Sequence, residues 1–272
     1  MTELLKVPLS ATPLLPAQRR QRIIDFLHRH GAATLHQLAR SLRVSMSTLR
    51  RDLDALADEG LVDRTHGGAL LRHQQYSTFE PDFAAASELS PQEKSLIGLA
   101  AAEALVPGQC VIFDSGSTVL EAARAVAARN IEIMAVTNDV QIAQVLGSGS
   151  ALRVHVFGGQ LRAGSNTLVG DEVLAGARSI RADVLLFGAH AVTDGVLSET
   201  SSEVAAVKRA LMQSATSRRL LVDSSKFRPR VFMSVCEVSE LEEVITDDGA
   251  PQEEIERIHG AGVKLTVARR PA

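Results

Sequence analysis

At 272 residues, 45% of them hydrophobic, the chain is too long for one small module and suits one large or two ordinary domains with apolar cores. The net charge of −3 conceals an asymmetry: residues 1–72 hold 11 Lys/Arg against 7 Asp/Glu, a surplus of +4 that leaves −7 on the remainder. A basic head on an acidic body suits a nucleic-acid-binding unit and argues against a uniformly basic coat.

Cys110 and Cys236 lie far apart, each in an apolar stretch without CxxC spacing, and read as buried thiols of a reducing compartment. The opening MTELLKVPLSATPLLPA is broken by Pro8, Pro13 and Pro16 and carries Glu3 where a signal peptide would be basic, so it reads as a loose tail. No run of about 18 apolar residues occurs, which points to a soluble, cytoplasmic protein with no membrane partner.

Between Ala17 and His30, Ile23, Ile24 and Leu27 recur at helical spacing, and Gly31 supplies a stop. Thr34 is placed to cap a second, short helix with Leu35, Leu38 and Leu42 on one face and Ala39 small enough for a close crossing. After the turn Arg43-Val44-Ser45, Ser45 caps a third helix in which Leu49, Leu53 and Leu56 share a face, and Gly60 ends it. Two short helices joined by so tight a turn make a helix-turn-helix, whose second helix enters the major groove N-terminus first. LVDRTHGGALL then alternates apolar and polar residues around Gly67-Gly68, as a two-stranded wing does.

Arg50 and Arg51 come early in the third helix, where the macrodipole favours acidic side chains. An external anion resolves the conflict: with Ser45, Ser47 and Thr48 they face phosphates and base edges, while Arg64 and His66 of the wing reach a second strip of backbone. Arginine binds guanine or holds a phosphate, and the hydroxyls favour phosphate, so individual roles stay open. Two adjacent arginines alone could equally solvate a helix face; the trihelix, short turn, hydroxyl-rich helix start and Gly-Gly wing together point to double-stranded operator DNA. One tyrosine and no tryptophan leave little for stacking on RNA bases.

The stretch TLRRDLDALADEGLVDRTHGGAL resembles the signature of the DeoR family of bacterial transcriptional regulators, where an Arg-Arg-Asp-Leu helix precedes a His-Gly-Gly-Ala wing, and the resemblance runs over residues 17–268. It implies a winged helix-turn-helix DNA-binding domain over 17–72, a linker over 73–90, and a sugar-phosphate-sensing and oligomerisation domain over 91–268. It further implies a homo-oligomeric repressor, dimer or tetramer, of carbohydrate-metabolism genes, released by a phosphorylated sugar.

Residues 72–90 lack sustained periodicity and read as a hinge. Ser90 with Glu93 then makes a capping box, Pro91 takes the first helical position, and EKSLIGLAAAEAL continues as an alanine-rich helix. Beyond it CVIFD, IEIMAVT, LRVHVF, DVLLFG, RLLVD, EEVIT and VKLTV alternate with helical segments, which predicts an α/β fold with a doubly wound, largely parallel sheet.

Ligands of such sheets bind at the carboxyl ends of the strands. There DSGST (Asp114, Ser115, Gly116, Ser117, Thr118) follows CVIF and opens a helix. A glycine between small hydroxyl residues turns backbone N–H groups inward and the helix N-terminus adds positive charge, as in a phosphate nest; the plainer alternative is an ordinary cap with a turn glycine. Further strand ends, TND, GGQLR, GAH and DSSKF, add hydroxyls, amides and charge, although a lone lysine such as Lys226 is commonly a surface charge. The resemblance, whose sensor fold is similar to ribose-5-phosphate isomerases, implies Asp114, Gly116, Ser117 and Thr118 around the phosphate and Asn138, Asp139, Gly159 and Lys226 around the sugar. Glu199, Glu203, Lys208 and Arg209 fit either an effector lid or a solvated helix face, and the resemblance, through the family's Glu-Val-Lys-Arg segment, favours ligand proximity or dimer contacts.

GSGSAL at Gly147 leaves a helix and enters a strand, the reverse of a dinucleotide site, and His28, His30 and His36 lack metal-binding spacing. No cofactor, metal or catalytic set is expected. The main alternative is a sugar-phosphate isomerase with an accessory DNA-binding head, with Asp114, Asp139 or Glu199 as base. A third is an architectural DNA-binding protein whose body only oligomerises, which does not call for a phosphate loop.

Overall fold

The structure, a computed structural model, describes residues 15–30, 32–65, 67–71 and 83–269. The expected tail, His66 and the first part of the expected linker lie outside these residues. The chain divides into two compact units, Met1–Arg72 and His73–Ala272.

The first unit runs α1 (Pro16–His30), β1 (Ala32–Thr34), α2 (Leu35–Leu42), α3 (Met46–Asp58), β2 (Val62–Thr65) and β3 (Gly68–Leu71). Ile23, Leu27, Leu38, Leu49, Leu53 and Leu56 meet in its core, each contributing about 1.5–3 kcal/mol through burial. Thr34 caps α2 reciprocally: its hydroxyl accepts the Gln37 N–H at 3.1 Å, and the Gln37 side chain accepts the Thr34 N–H at 2.9 Å. The chain leaves α2 through left-handed Arg43 and enters α3 at Ser45, whose hydroxyl accepts the Thr48 N–H at 3.2 Å. Arg19 of α1 clamps the buried carboxylate of Asp52 in α3, which fixes how the two helices cross. The wing hairpin β2–β3 forms as expected and gains β1 as a third strand. Three residues, Ala-Ala-Thr, are too few for a period-2 pattern to be read from sequence.

The second unit continues with α4 (Phe83–Glu88), α5 (Pro91–Glu103), β4 (Cys110–Phe113), α6 (Ser117–Arg129), β5 (Ile133–Thr137), α7 (Val140–Leu146) and β6 (Leu152–Val156). Then come β7 (Gln160–Leu161), β8 (Leu168–Val169), α8 (Asp171–Ser179), β9 (Ala182–Phe187), β10 (Ala191–Thr193), β11 (Val196–Glu199) and α9 (Ser202–Ser214). The last elements are β12 (Ala215–Leu221), β13 (Met233–Glu237), β14 (Glu243–Asp247), α10 (Gln252–Gly260) and β15 (Lys264–Ala268).

All seven apolar segments expected as strands join one parallel sheet of order β15-β14-β12-β9-β4-β5-β6. Helices cover both faces, so successive residues of the central strands enter opposite cores: Ile112 and Leu185 pack on one side, Val111, Phe113, Val184 and Leu186 on the other. From β4 the chain builds outward through β5 to β6, then returns to lay β9 against the other edge of β4. That reversal is the topological switch point, and the crevice outside β4 and β9 is where such sheets hold ligands.

Two expectations for the start of this unit need correction. The stretch expected as linker up to residue 90 contains the helix α4, too short to show a helical period. Ser90 does not form the capping box: it adopts a left-handed turn (φ 48) that makes no side-chain cap, although Pro91 opens α5 as expected. The antiparallel set β10-β11-β13 and the hairpin β7–β8 were also not legible, being strands of a few residues each.

Candidate DNA interface and ligand cavity

The start of α3 gathers the hydroxyls expected there. Ser45 Oγ lies 3.0 Å from Ser47 Oγ and 2.8 Å from Thr48 Oγ1, and Ser47 is exposed. Arg50 and Arg51 are exposed and have no ion-pair partner among the described residues. Arg64 is exposed as well but pairs with Asp54 of α3, so part of its charge is spent inside the unit. Arg40 at the end of α2 and Arg43 in the turn, not singled out in the sequence, are exposed and likewise without an ion-pair partner among the described residues. Their signal is positional: the first helix of a helix-turn-helix crosses the DNA backbone.

In the second unit a cavity of about 120 Å³ sits at the switch point. Its walls come from the β4–α6 loop (Ser115, Gly116, Ser117, Thr118), from Gly188 to His190 after β9, from Glu199, Lys208 and Lys226, from the loop bearing Arg162, Gly164, Ser165 and Thr167, and from Phe83 and Ala86 of α4. Gly116 takes φ 121, a backbone state that suits glycine, and leads directly into the first amides of α6 with no side-chain cap. Those N–H groups have no intrahelical acceptor and sit at the positive end of the helix dipole.

A buried ion cluster stands beside that loop. Lys208, 4% exposed, donates to Asp114 Oδ2 and, at 2.9 Å, to Gly188 O, with Glu199 Oε1 3.4 Å away. Burial alone would depress the lysine, but the charges of Asp114 and Glu199 outweigh it and raise its pKa. Glu199 also accepts the His190 N–H at 3.1 Å, so Lys208 braces the ends of β4, β9 and β11 together. The solvated-face reading of Glu199 and Lys208 is therefore wrong: both are buried.

The expected effector residues divide. Ser115, Gly116, Ser117, Thr118 and Lys226 line the cavity. Burial, reinforced by the neighbouring charge of Arg228, pushes Lys226 down to about 7, within reach of titration at neutral pH. Asp114 lies behind the wall, committed to Lys208. Asn138 and Asp139 are buried outside the lining: Asn138 donates to Leu168 O at 3.2 Å, and Asp139 caps α7 by accepting the Gln141 and Ile142 N–H groups at 2.9 and 3.0 Å. Burial and the nearby charge of Asp114 push Asp139 up to about 6, against the pull of those amides. Gly159 also lies off the cavity; a Cβ there would come within 2.7 Å of Val169 O, so the site requires glycine for close backbone approach.

Lys94 is a further buried cation that drew no notice in the sequence, where it looked like any lysine of an alanine-rich helix. It is 2% exposed, donates to Ala86 O at 2.6 Å, and has its pKa lowered by burial. Asp223 caps the turn that carries Lys226, accepting the Ser225 N–H at 3.1 Å. Burial would raise that carboxylate, yet Lys226 and Lys94 outweigh it and hold it below its ordinary value.

A winged helix-turn-helix followed by an α/β unit with a polar cavity at its switch point defines a DNA-binding transcriptional regulator. The family models make the class specific: residues 19–75 match the DeoR-like helix-turn-helix domain, and residues 89–248 match the DeoR C terminal sensor domain. The chain belongs to the DeoR family of transcriptional repressors. It is 30% identical to the HTH-type transcriptional repressor GlcR of Bacillus subtilis (strain 168), over 93% of this chain and 96% of that one. It is 31% identical to the HTH-type transcriptional regulator GlpR of Haloferax volcanii, over 93% and 98%, and 29% identical to the glycerol-3-phosphate regulon repressor of Escherichia coli (strain K12), over 86% and 92%. These relatives are named as regulators, and the isomerase alternative is not favoured. Solved structures similar to it include ribose 5-phosphate isomerase A of Methanocaldococcus jannaschii, at 13% identity and TM-score 0.38 over 50% of this chain and 53% of that one. The translation initiation factor eIF-2B of Pyrococcus horikoshii matches at 15% identity and TM-score 0.44, over 80% and 69%. No helix among the described residues is long and apolar enough to cross a membrane.

Proposed function

We propose that this repressor controls carbohydrate-metabolism genes and is released from its operator by a phosphorylated sugar. The observation that carries the reading is the convergence on one cavity of the α6 N-terminal turn, the hydroxyls of Ser115, Ser117 and Thr118, and Lys226. Amides at a helix start with an adjacent cation suit a phosphate, and the buried carboxylate of Glu199 in the same wall suits sugar hydroxyls. The sensor-domain family match and the relative named for the glycerol-3-phosphate regulon support the same reading. Ser45, Ser47, Thr48, Arg50, Arg51 and Arg64 are the operator contacts, presented twice by a homo-oligomer to successive major grooves.

Effector and operator then oppose one another with a coupling of about 1–3 kcal/mol, and operator weakens effector binding by the same factor. A thermal-shift screen of phosphorylated sugars tests this: a true effector at 100 times its Kd stabilises by about 2.7 kcal/mol. Ser117→Asp places a carboxylate at the helix start and should abolish that shift and the release of DNA while leaving operator affinity intact. A panel with no stabilising compound, or a variant that responds as the wild type does, counts against the assignment.

A further inference from the structure

We propose that Lys94 is a positioning residue of the sensor cavity: it pins α4 into the cavity wall, so that an anionic ligand bound there tightens the hold on the chain segment leading to the DNA-binding unit. The proposal rests on the effector reading above for its ligand, and on the geometry of α4 for its mechanism.

Phe83 and Ala86 place α4 directly on the cavity. A helix over Phe83–Glu88 is too short to persist alone, so its position depends on what ties it down. One tie is the Phe83 N–H, which donates at 3.1 Å to the carbonyl of Gly164, a residue of the loop that lines the same cavity. Phe83 also packs against the apolar core, and a second polar tie is Lys94, whose ammonium reaches Ala86 O at 2.6 Å, its one hydrogen-bond acceptor among the described residues. A charged side chain so deeply buried is costly unless something compensates it. Here the compensation is a carbonyl near the negative end of α4, with the charges of Asp223, Glu121 and Glu93 favouring the ammonium and that of Arg228 opposing it. An apolar side chain would fill the same space without desolvating a charge, so what the lysine supplies is polar: the tie to Ala86 O and a positive charge near Asp223.

On the other side of α4, residues 72–82 alone separate it from β3, the last strand of the DNA-binding unit. A ligand that touches Phe83 and Ala86 adds to the free energy holding α4 in place, and thereby fixes one end of that connection.

The test uses full-length Lys94→Met, which keeps side-chain length and removes the donor, together with hydrogen exchange and operator titration. Without ligand, amides over residues 83–88 should exchange about tenfold or more faster than in the wild type while β4 and β9 keep their protection, as local opening predicts. Operator affinity should shift by about threefold or more in the same comparison. Unchanged exchange over 83–88, or faster exchange with unchanged operator affinity, overturns the proposal. Wild-type protein with inorganic phosphate and with each phosphorylated sugar of the panel supplies an arm that does not depend on the variant folding. A compound that raises the melting temperature should also slow exchange over 83–88. If it raises the melt and leaves that segment untouched, the proposed hold of the ligand on α4 is wrong and the effector reading stands. If no compound raises the melt, the effector reading and the ligand-driven part of the proposal fall together, and the tie is decided by the variant alone.

Discussion

Each unit holds a distinctive set of cations, and the two sets are kept in opposite ways. In the DNA-binding unit Arg40, Arg43, Arg50 and Arg51 are exposed and without ion-pair partners among the described residues. In the sensor unit Lys94 and Lys208 are 2% and 4% exposed and committed to specific oxygens. An exposed guanidinium stays solvated at little cost until a polyanion arrives, whereas a buried ammonium must be balanced at every moment by the groups around it. Loss of one of these exposed head arginines should therefore appear in binding and leave folding alone. Loss of a buried body lysine should appear in folding first.

The largest expected effect tests the second half of that contrast. Lys208→Ala leaves Asp114 and Glu199 buried without their counter-charge, and breaking such a buried cluster costs about 3–5 kcal/mol. Urea unfolding of the sensor unit should shift to much lower denaturant while the trihelix of the head, with its own core, keeps its transition. A change within about 1 kcal/mol would mean that the cluster is far better hydrated than its burial implies.

Next in size is the head. Arg50→Ala or Arg51→Ala should weaken operator binding by about 1–3 kcal/mol if the side chain reads a base, with less dependence on sequence if it holds phosphate. The circular-dichroism melt should not move. Unchanged affinity in both variants would remove these arginines from the interface, and a lowered melt would blur the distinction between the units.

The same contrast explains what could be read from the chain. The head was legible because its information is local: Leu49, Leu53 and Leu56 report a helix, Ser45 reports its start, and all lie within a few residues of one another. The seven core strands were legible for a related reason, since strands buried on both faces are continuous apolar runs such as Val111-Ile112-Phe113. The cavity was only half legible. DSGST announces itself because loop and helix start are contiguous, but Lys208 meets Asp114 across 94 residues of sequence, and the helix that carries it gives no sign of which carboxylate it pairs with. Asn138, Asp139 and Gly159 sit at strand ends as a binding residue would, yet their atoms go to capping α7, holding Leu168 and allowing close backbone approach. Strand-end position alone does not say whether a polar group turns to the ligand or to its own scaffold.

Lys226 lies between the two regimes, since it lines the cavity and its ammonium is depressed to about 7. The charged form holds an anion, so effector affinity should be full below pH 7 and fall as pH rises above it, by up to tenfold per unit, about 1.4 kcal/mol. A phosphate gains negative charge as pH rises through its second pKa near 6, so an ordinary cationic site would bind more tightly over the same range. Calorimetric titration at pH 7.0 and 8.5 separates the two, and flat or rising affinity would place the phosphate away from Lys226. The sign for stability is opposite: the unfolded chain carries the proton on this lysine up to its ordinary pKa and the folded one does not, so this residue's contribution to stability should improve from pH 7 towards 10.

The smallest effect is the sharpest measure of the head, because it distinguishes unpartnered from partnered arginines on one surface. Arg40 and Arg43 lie at the end of α2 and in the turn before α3, where the first helix of a helix-turn-helix meets phosphate, and neither has an internal carboxylate to leave. Arg64 is bonded to Asp54 and Arg20 to Glu59, so on binding DNA each must give up or share an existing partner. Each phosphate neutralised contributes about 0.9 to the slope of log affinity against log salt. Arg40→Ala and Arg43→Ala should each lower that slope by about 1 with affinity falling evenly across operator and non-operator DNA, whereas Arg20→Ala should change it by much less. Arg64→Ala decides how strongly Asp54 holds its partner: a full unit of slope lost would show that the wing arginine leaves Asp54 for the backbone, and a fraction of a unit would show that the internal pair persists on DNA. Equal slopes for all four variants would mean that internal pairing does not govern which arginines the DNA recruits, and the contrast between exposed and committed cations would then apply to the sensor unit alone.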